Sequence, residues 1–128
     1  MTSCATQNED MNTDKYNNPL EECPDTPNCI RLSFTVEEDI STALTAFEKT
    51  LDRMKALEVT AYDDGYHAVF KIPVFGYLDD VNIKMENAGD RGRTIVHMRS
   101  ASRVGYSDLG VNRMRVKKIR SEYFRSLK

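Results

Sequence analysis

Seventeen residues, Arg99-Ser-Ala-Ser-Arg-Val-Gly-Tyr-Ser-Asp-Leu-Gly-Val-Asn-Arg-Met-Arg115, hold four arginines, three serines, an aspartate, an asparagine and two glycines. Fixed cations beside small hydroxyl and amide groups can hold a carboxylate or phosphate, above all near a helix N-terminus. The same groups can instead lock one corner of a fold through hydrogen bonds. In the structural reading Ser100, Ser102, Asp108 and Asn112 organise the corner, while Gly105 and Gly110 let the chain turn sharply and bring the helix start close to the strand. Asn112 falls inside the apolar stripe of the last helix, so its amide is expected to be buried and to need partners. Arg99, Arg103 and Arg113 then either pair with Asp79, Asp80 and Asp108 or stay available to an anion.

Other chemistry has less behind it. Ser102 or Ser107 with His67 or His97 would make a nucleophile and base, but no Gly-x-Ser-x-Gly elbow is present. Asp63, Asp64, Asp79 and Asp80 offer oxygen ligands without an EF-hand spacing. Cys23-Pro-Asp-Thr-Pro-Asn-Cys29 places two thiols around a proline-bent loop that could close a small disulfide ring, leaving Cys4 over. As metal ligands these two would need two more, and only His67 and His97 are on offer. Reduced thiols in a cytosolic protein are the other alternative. No metal and no cofactor is expected.

The elements that must position these residues follow from periodicity. Residues 1–22 are polar and are expected to form a disordered tether, followed by one α+β domain over 23–128. Ile30 to Phe34 reads as a short strand, and Thr35 with Glu38 as a capping box opening a helix of about five turns. Ile40, Leu44, Phe47, Leu51 and Met54 form its apolar stripe. Leu57 to Tyr62 and Tyr66 to Pro73 alternate on either side of Asp63-Asp64-Gly65, predicting a hairpin. Val81 to Glu86 and Thr94 to Arg103 are two further half-buried strands. The last helix is expected to begin at Ser107 or Asp108, with Leu109, Val116, Ile119, Tyr123 and Leu127 buried.

Strand, helix, four antiparallel strands and helix predict a two-layer sandwich with about five strands and both helices on one face. The other face is then open, and alternation places Tyr62, His67, Lys71, Lys84, His97, Arg99 and Arg103 on it. Arg99, Arg103, Arg113, His67 and His97 are accordingly the candidate ligand-binding residues.

Charge bounds the partners. The chain of 128 residues has a net charge of -2, which argues against nucleic acid as a partner. The balance is uneven: residues 91–128 carry eleven bases and two acids, whereas residues 30–90 carry twelve acids and six bases. A solvated or internally neutralised face is the plain reading of that contrast. Met1-Thr-Ser-Cys4 has the form of the end of a bacterial lipoprotein signal, so an upstream signal and lipidation at Cys4 are expected, with the protein periplasmic or membrane-associated. Taken as given, the sequence has no span for a bilayer and would be cytoplasmic.

The Cys23–Cys29 segment and the Arg99–Arg113 run together resemble the family called domain of unknown function 1499, with Tyr77-Leu-Asp-Asp80 matching its intervening segment. The resemblance runs from Cys23 to the C-terminus. It implies occurrence in bacteria and plant plastids, often beside membrane or export signals, and implies no established activity. Members often carry Ser-Ser after the Asn-Cys pair, where this chain has Ile30-Arg31, so no role for those serines carries over. The function expected is a non-catalytic, envelope-associated binding module, monomeric, for an anionic small molecule, lipid head group or partner protein. The alternative is a hydrolase or transferase acting on a carboxylate- or phosphate-bearing substrate.

Overall fold

Alternation along the strands decides which side of the sheet is covered. In the strand centred on Ile83, Val81, Ile83 and Met85 are buried while Lys84 and Glu86 are exposed. The same period of two buries Leu32, Phe34 and Val36, then Tyr66, Ala68 and Phe70, then Val96 and Met98. The computed structural model describes residues 16–73, 76–89, 92–104 and 110–128. Its elements are β1 (Cys29–Val36), α1 (Ile40–Arg53), β2 (Glu58–Tyr62), β3 (Gly65–Lys71), β4 (Leu78–Asn87), β5 (Thr94–Ser102) and α2 (Val111–Ser126). The Cys4, Gly105, Ser107, Asp108 and Leu109 positions lie outside the described residues.

The five strands form one antiparallel sheet in the order β1-β5-β4-β3-β2, an α+β architecture with two helices. β2 to β5 are a meander, and β1 closes onto β5 from Cys29↔Ala101 to Val36↔Thr94. The two helices bury Ala43, Ala46, Phe47, Leu51, Val116, Ile119 and Tyr123 in the same cluster as the strand residues above. Phe47 and Tyr123 stack across the helices with centroids 4.3 Å apart. At the far edge, β2 is exposed at all five residues. None of the described helices is long and apolar enough to cross a membrane.

Local expectations for both helices are corrected. Thr35 does not begin a helix, because β1 runs on to Val36 against β5 and α1 is capped instead by Asp39, whose carboxylate accepts from the Thr42 N–H at 2.9 Å. The helix is fourteen residues long, under four turns. Its buried stripe is rotated toward Ala43, Ala46 and Thr50, small residues that let the backbone approach the sheet, and Thr50 returns its hydroxyl to the Ala46 carbonyl at 2.8 Å. α2 starts at Val111 after Gly110, whose φ of 80° is the left-handed turn that a glycine takes without strain. Asn18 donates to the Leu32 carbonyl at 2.8 Å and Arg31 donates to the carbonyls of Asn18 and Leu20, so residues 18–20 lie along β1; residues 1–15 of the expected tether lie outside the described residues.

Candidate functional site

Two groups of polar residues stand on opposite sides of the sheet. The first is the corner between β5 and α2. Asn112 is 1% exposed on the sheet-facing side of α2. Its Oδ1 accepts from the Ser100 hydroxyl and from Arg115 Nη1 at 3.2 Å, and its Nδ2 donates to Ser102 Oγ at 2.9 Å and to the Asn28 carbonyl at 3.1 Å. Asn28 is the residue before Cys29, and its carbonyl also accepts the Ser102 N–H at 3.0 Å. Cys23 and Cys29 are joined by a disulfide with Cα atoms 5.6 Å apart. The cysteine segment and the arginine-serine run are therefore one hydrogen-bonded unit, held at the Asn28 carbonyl.

Beneath that unit Arg115 donates to Asp79 Oδ2 at 2.6 Å, with side-chain exposures of 9% and 0%. Its guanidinium also sits 5.1 Å from the Phe70 ring centroid. The other Asp79 oxygen has no hydrogen-bond partner among the described residues. Ser100, Ser102 and Asn112 meet in this corner, and Asp79 has Arg115 as its ion-pair partner in place of Arg99, Arg103 or Arg113. Asn112→Ala would leave Ser100, Ser102 and the Asn28 carbonyl short of partners and is expected to destabilise by about 1–3 kcal/mol. Arg103→Ala, at an exposed ion pair, should melt with the wild type. Thermal melts of the two variants check this, and the reverse order would make Arg103 the strut of the corner.

The second group lies on the sheet face turned from the helices. Asp80 there takes both arms of Arg103, Nε and Nη2, at 2.9 Å, and meets His67 Nε2 at 2.8 Å. The Arg103 hydrogen bonds, with a lesser part from His67, hold the Asp80 carboxyl below its usual value against the opposing effect of burial. Strand register aligns Arg31↔Arg99↔Asn82↔His67↔Thr60 in one row across all five strands. At about 4.8 Å per strand the row spans roughly 19 Å, and every member carries a donor. Arg99 forms no ion pair or hydrogen bond among the described residues, and its Nε is buried without an acceptor. Beside Arg31, the residues Asn17, Asn18, Leu20 and Glu22 line a cleft of about 540 Å³.

His97 does not belong to this accessible row. It is 0% exposed, one pleat away, with Nδ1 at 2.7 Å from Ser33 Oγ and Nε2 at 2.6 Å from Glu86 Oε2. Asn18 Nδ2 closes the chain by donating to Ser33 Oγ at 3.1 Å. Asn18, Ser33, His97 and Glu86 can each donate to the next if the imidazole carries its proton on Nε2. Arg113 is not brought to the row either, since it is exposed on α2, in the helix layer. Of the five candidate ligand residues the structure brings Arg99, Arg103 and His67 to the accessible part of one face, with His97 buried on that same face.

Arg31, Ser33, Glu86, Asn28 and Arg115 have no site role in the reading of the sequence. Glu86 and Ser33 were legible from strand alternation, whereas the pairing of Arg31 with Arg99 depends on a register between strands far apart in the chain. Among the described residues no group of three or more His, Cys, Asp or Glu could hold a metal ion. Comparison with curated proteins finds no match. A family described as protein of unknown function (DUF1499) does match, over residues 19–123. That span takes in the disulfide, all five strands and the Asn112 corner. The chain belongs to the DUF1499 family.

Proposed function

We propose that the protein is a non-catalytic binding module that holds a carboxylate- or phosphate-bearing ligand against the open face of its sheet. The observation that carries this reading is the row Arg31–Arg99–Asn82–His67–Thr60, a line of donors with no carboxylate in it and with Arg99 unpaired among the described residues. A buried guanidinium nitrogen without an acceptor is costly, and an anion seated on the row removes that cost. The disulfide and the residues around Cys4 support a place in an oxidising compartment at the cell envelope. A lipid head group and a free small anion share the chemistry this row would recognise.

The hydrolase or transferase reading draws on one observation, the Ser33–His97–Glu86 chain. A base does lie within reach of a hydroxyl there. Ser33, however, is 0% exposed and its oxygen is already engaged by Asn18 and His97, which leaves no room for a substrate carbonyl. The chain serves better as a polar tie between β1, β5 and β4, buried at Ser33 and His97 and reaching solvent at Glu86.

Titration calorimetry with inorganic phosphate, succinate and a soluble short-chain phosphatidylglycerol tests the binding reading and separates the two ligand sources. Arg99→Ala is expected to weaken the anion that binds by about 10–100-fold, the worth of a charged hydrogen-bonding group, with an unchanged melt. Arg99→Lys should recover part of it, because a point charge replaces a planar fork. Equal affinity in wild type and Arg99→Ala would sink the reading.

A further inference from the structure

The solvent side of α2 is unlike the rest of the molecule. Arg113, Lys117, Lys118 and Arg125 are exposed on it, and Lys128 follows its last turn. At 100° per residue these positions fall in an arc of about 140°. The single acid between Val111 and Lys128 is Glu122, which is 8% exposed and turned inward, where Arg53, Lys118 and Arg125 share it. Arg113, Lys117 and Lys128 have no ion-pair partner among the described residues. Internal neutralisation, the plain reading of this basic third of the chain, is thus partial. The neighbouring helix does not complete it: on the exposed side of α1, Glu48 and Asp52 are balanced by Lys49 and Arg53.

Two apolar side chains stand in the same arc. Met114 is 68% exposed and Phe124 is 39% exposed, although the buried stripe of α2 runs along the opposite side through Asn112, Val116, Ile119 and Tyr123. Ten residues of helix place them about 15 Å apart. Cations interspersed with exposed apolar groups along one helix face suit a surface that is negatively charged outside and apolar just beneath. A nucleic acid would satisfy the cations and give Met114 and Phe124 nothing to enter.

We propose that the solvent face of α2 docks on the surface of an anionic lipid bilayer, with Arg113, Lys117, Lys118, Arg125 and Lys128 on the head groups and Met114 and Phe124 in the interface. The surface lies in the helix layer, on the other side of the sheet from the donor row, so it does not depend on the proposed ligand site. Each cation near such a surface is worth roughly a fivefold change in partition, and the attraction is screened by salt.

Co-sedimentation of the full chain, carrying Cys4→Ser so that no acyl chain contributes, with vesicles of phosphatidylcholine alone or with one fifth phosphatidylglycerol tests this. Binding is expected to the mixed vesicles only and to fall away in 0.5 M salt. Arg113→Gln with Lys117→Gln, neither of which breaks an ion pair, should reduce partition roughly thirtyfold at an unchanged melt. Met114→Ser with Phe124→Ser should reduce it several-fold while leaving the salt dependence in place. Equal binding to neutral vesicles, no effect of either double variant, or retention of a DNA duplex as tight as that of the vesicles would overturn the assignment.

Discussion

Arg115→Met is expected to lower stability by about 3–5 kcal/mol, the cost of stranding one member of a buried ion pair. Asp79 is 0% exposed, one of its oxygens has no partner among the described residues, and Arg115 supplies the other at 2.6 Å. Removal of the guanidinium leaves the carboxylate, 0% exposed, with no other cation in hydrogen-bonding reach among the described residues. It also deprives Asn112 of a donor and Phe70 of the group over its ring. Urea denaturation should show the loss, and the melting temperature should fall by roughly 12–20 °C. Asp79→Leu combined with Arg115→Met should recover much of it, since an apolar pair of similar size replaces two desolvated charges. A single variant within 1 kcal/mol of wild type would mean that the pair is solvated and not the keystone of the corner.

Gly65→Ala should be nearly as damaging, for a steric reason. A Cβ at Gly65 would stand 1.8 Å from the Ile83 carbonyl oxygen and 2.8 Å from its carbon. Both are backbone atoms of the neighbouring strand, so no rotamer change relieves the contact and β3 must move away from β4. The Asp64 carbonyl accepts the Met85 N–H at 2.8 Å beside this point, and that ladder would part first. A loss of about 3 kcal/mol or more is expected on chemical denaturation, at the upper end for overpacking. Full stability in the alanine variant would show that the hairpin can shift freely against β4.

Gly65 also shows where sequence reasoning reached and where it stopped. The turn was legible in Asp63-Asp64-Gly65, but the residue is glycine because two backbones approach closely, which local turn chemistry does not reveal. The strands were legible because one face is buried and alternation is therefore strict; their order β1-β5-β4-β3-β2 follows the meander. The capping box at Thr35 misled because a β-branched pair, Thr35 and Val36, gains more from pairing with β5 than from starting a helix. Asn112 was placed correctly from helical period alone. Its partner Asn28 was not, because nothing local joins residues 84 apart. Charge singles out the arginines of the motif, yet only the fold separates Arg99, on the open face by strand register and unpaired among the described residues, from Arg115, on the inner side of α2 against Asp79.

The bare edge strand carries a consequence for the chain in a crowded solution. Among the described residues β2 offers an unpaired row of backbone groups, and Leu57, Val59 and Tyr62 there are 56%, 44% and 59% exposed. Such an edge is a template on which a strand of another chain can add. The addition most prone to fibre growth stacks identical strands in register. Here it would set Glu58 upon Glu58 and Asp63 and Asp64 upon themselves, at either end of a strand only five residues long. Those three acids keep the molecules apart where shape alone would let them join.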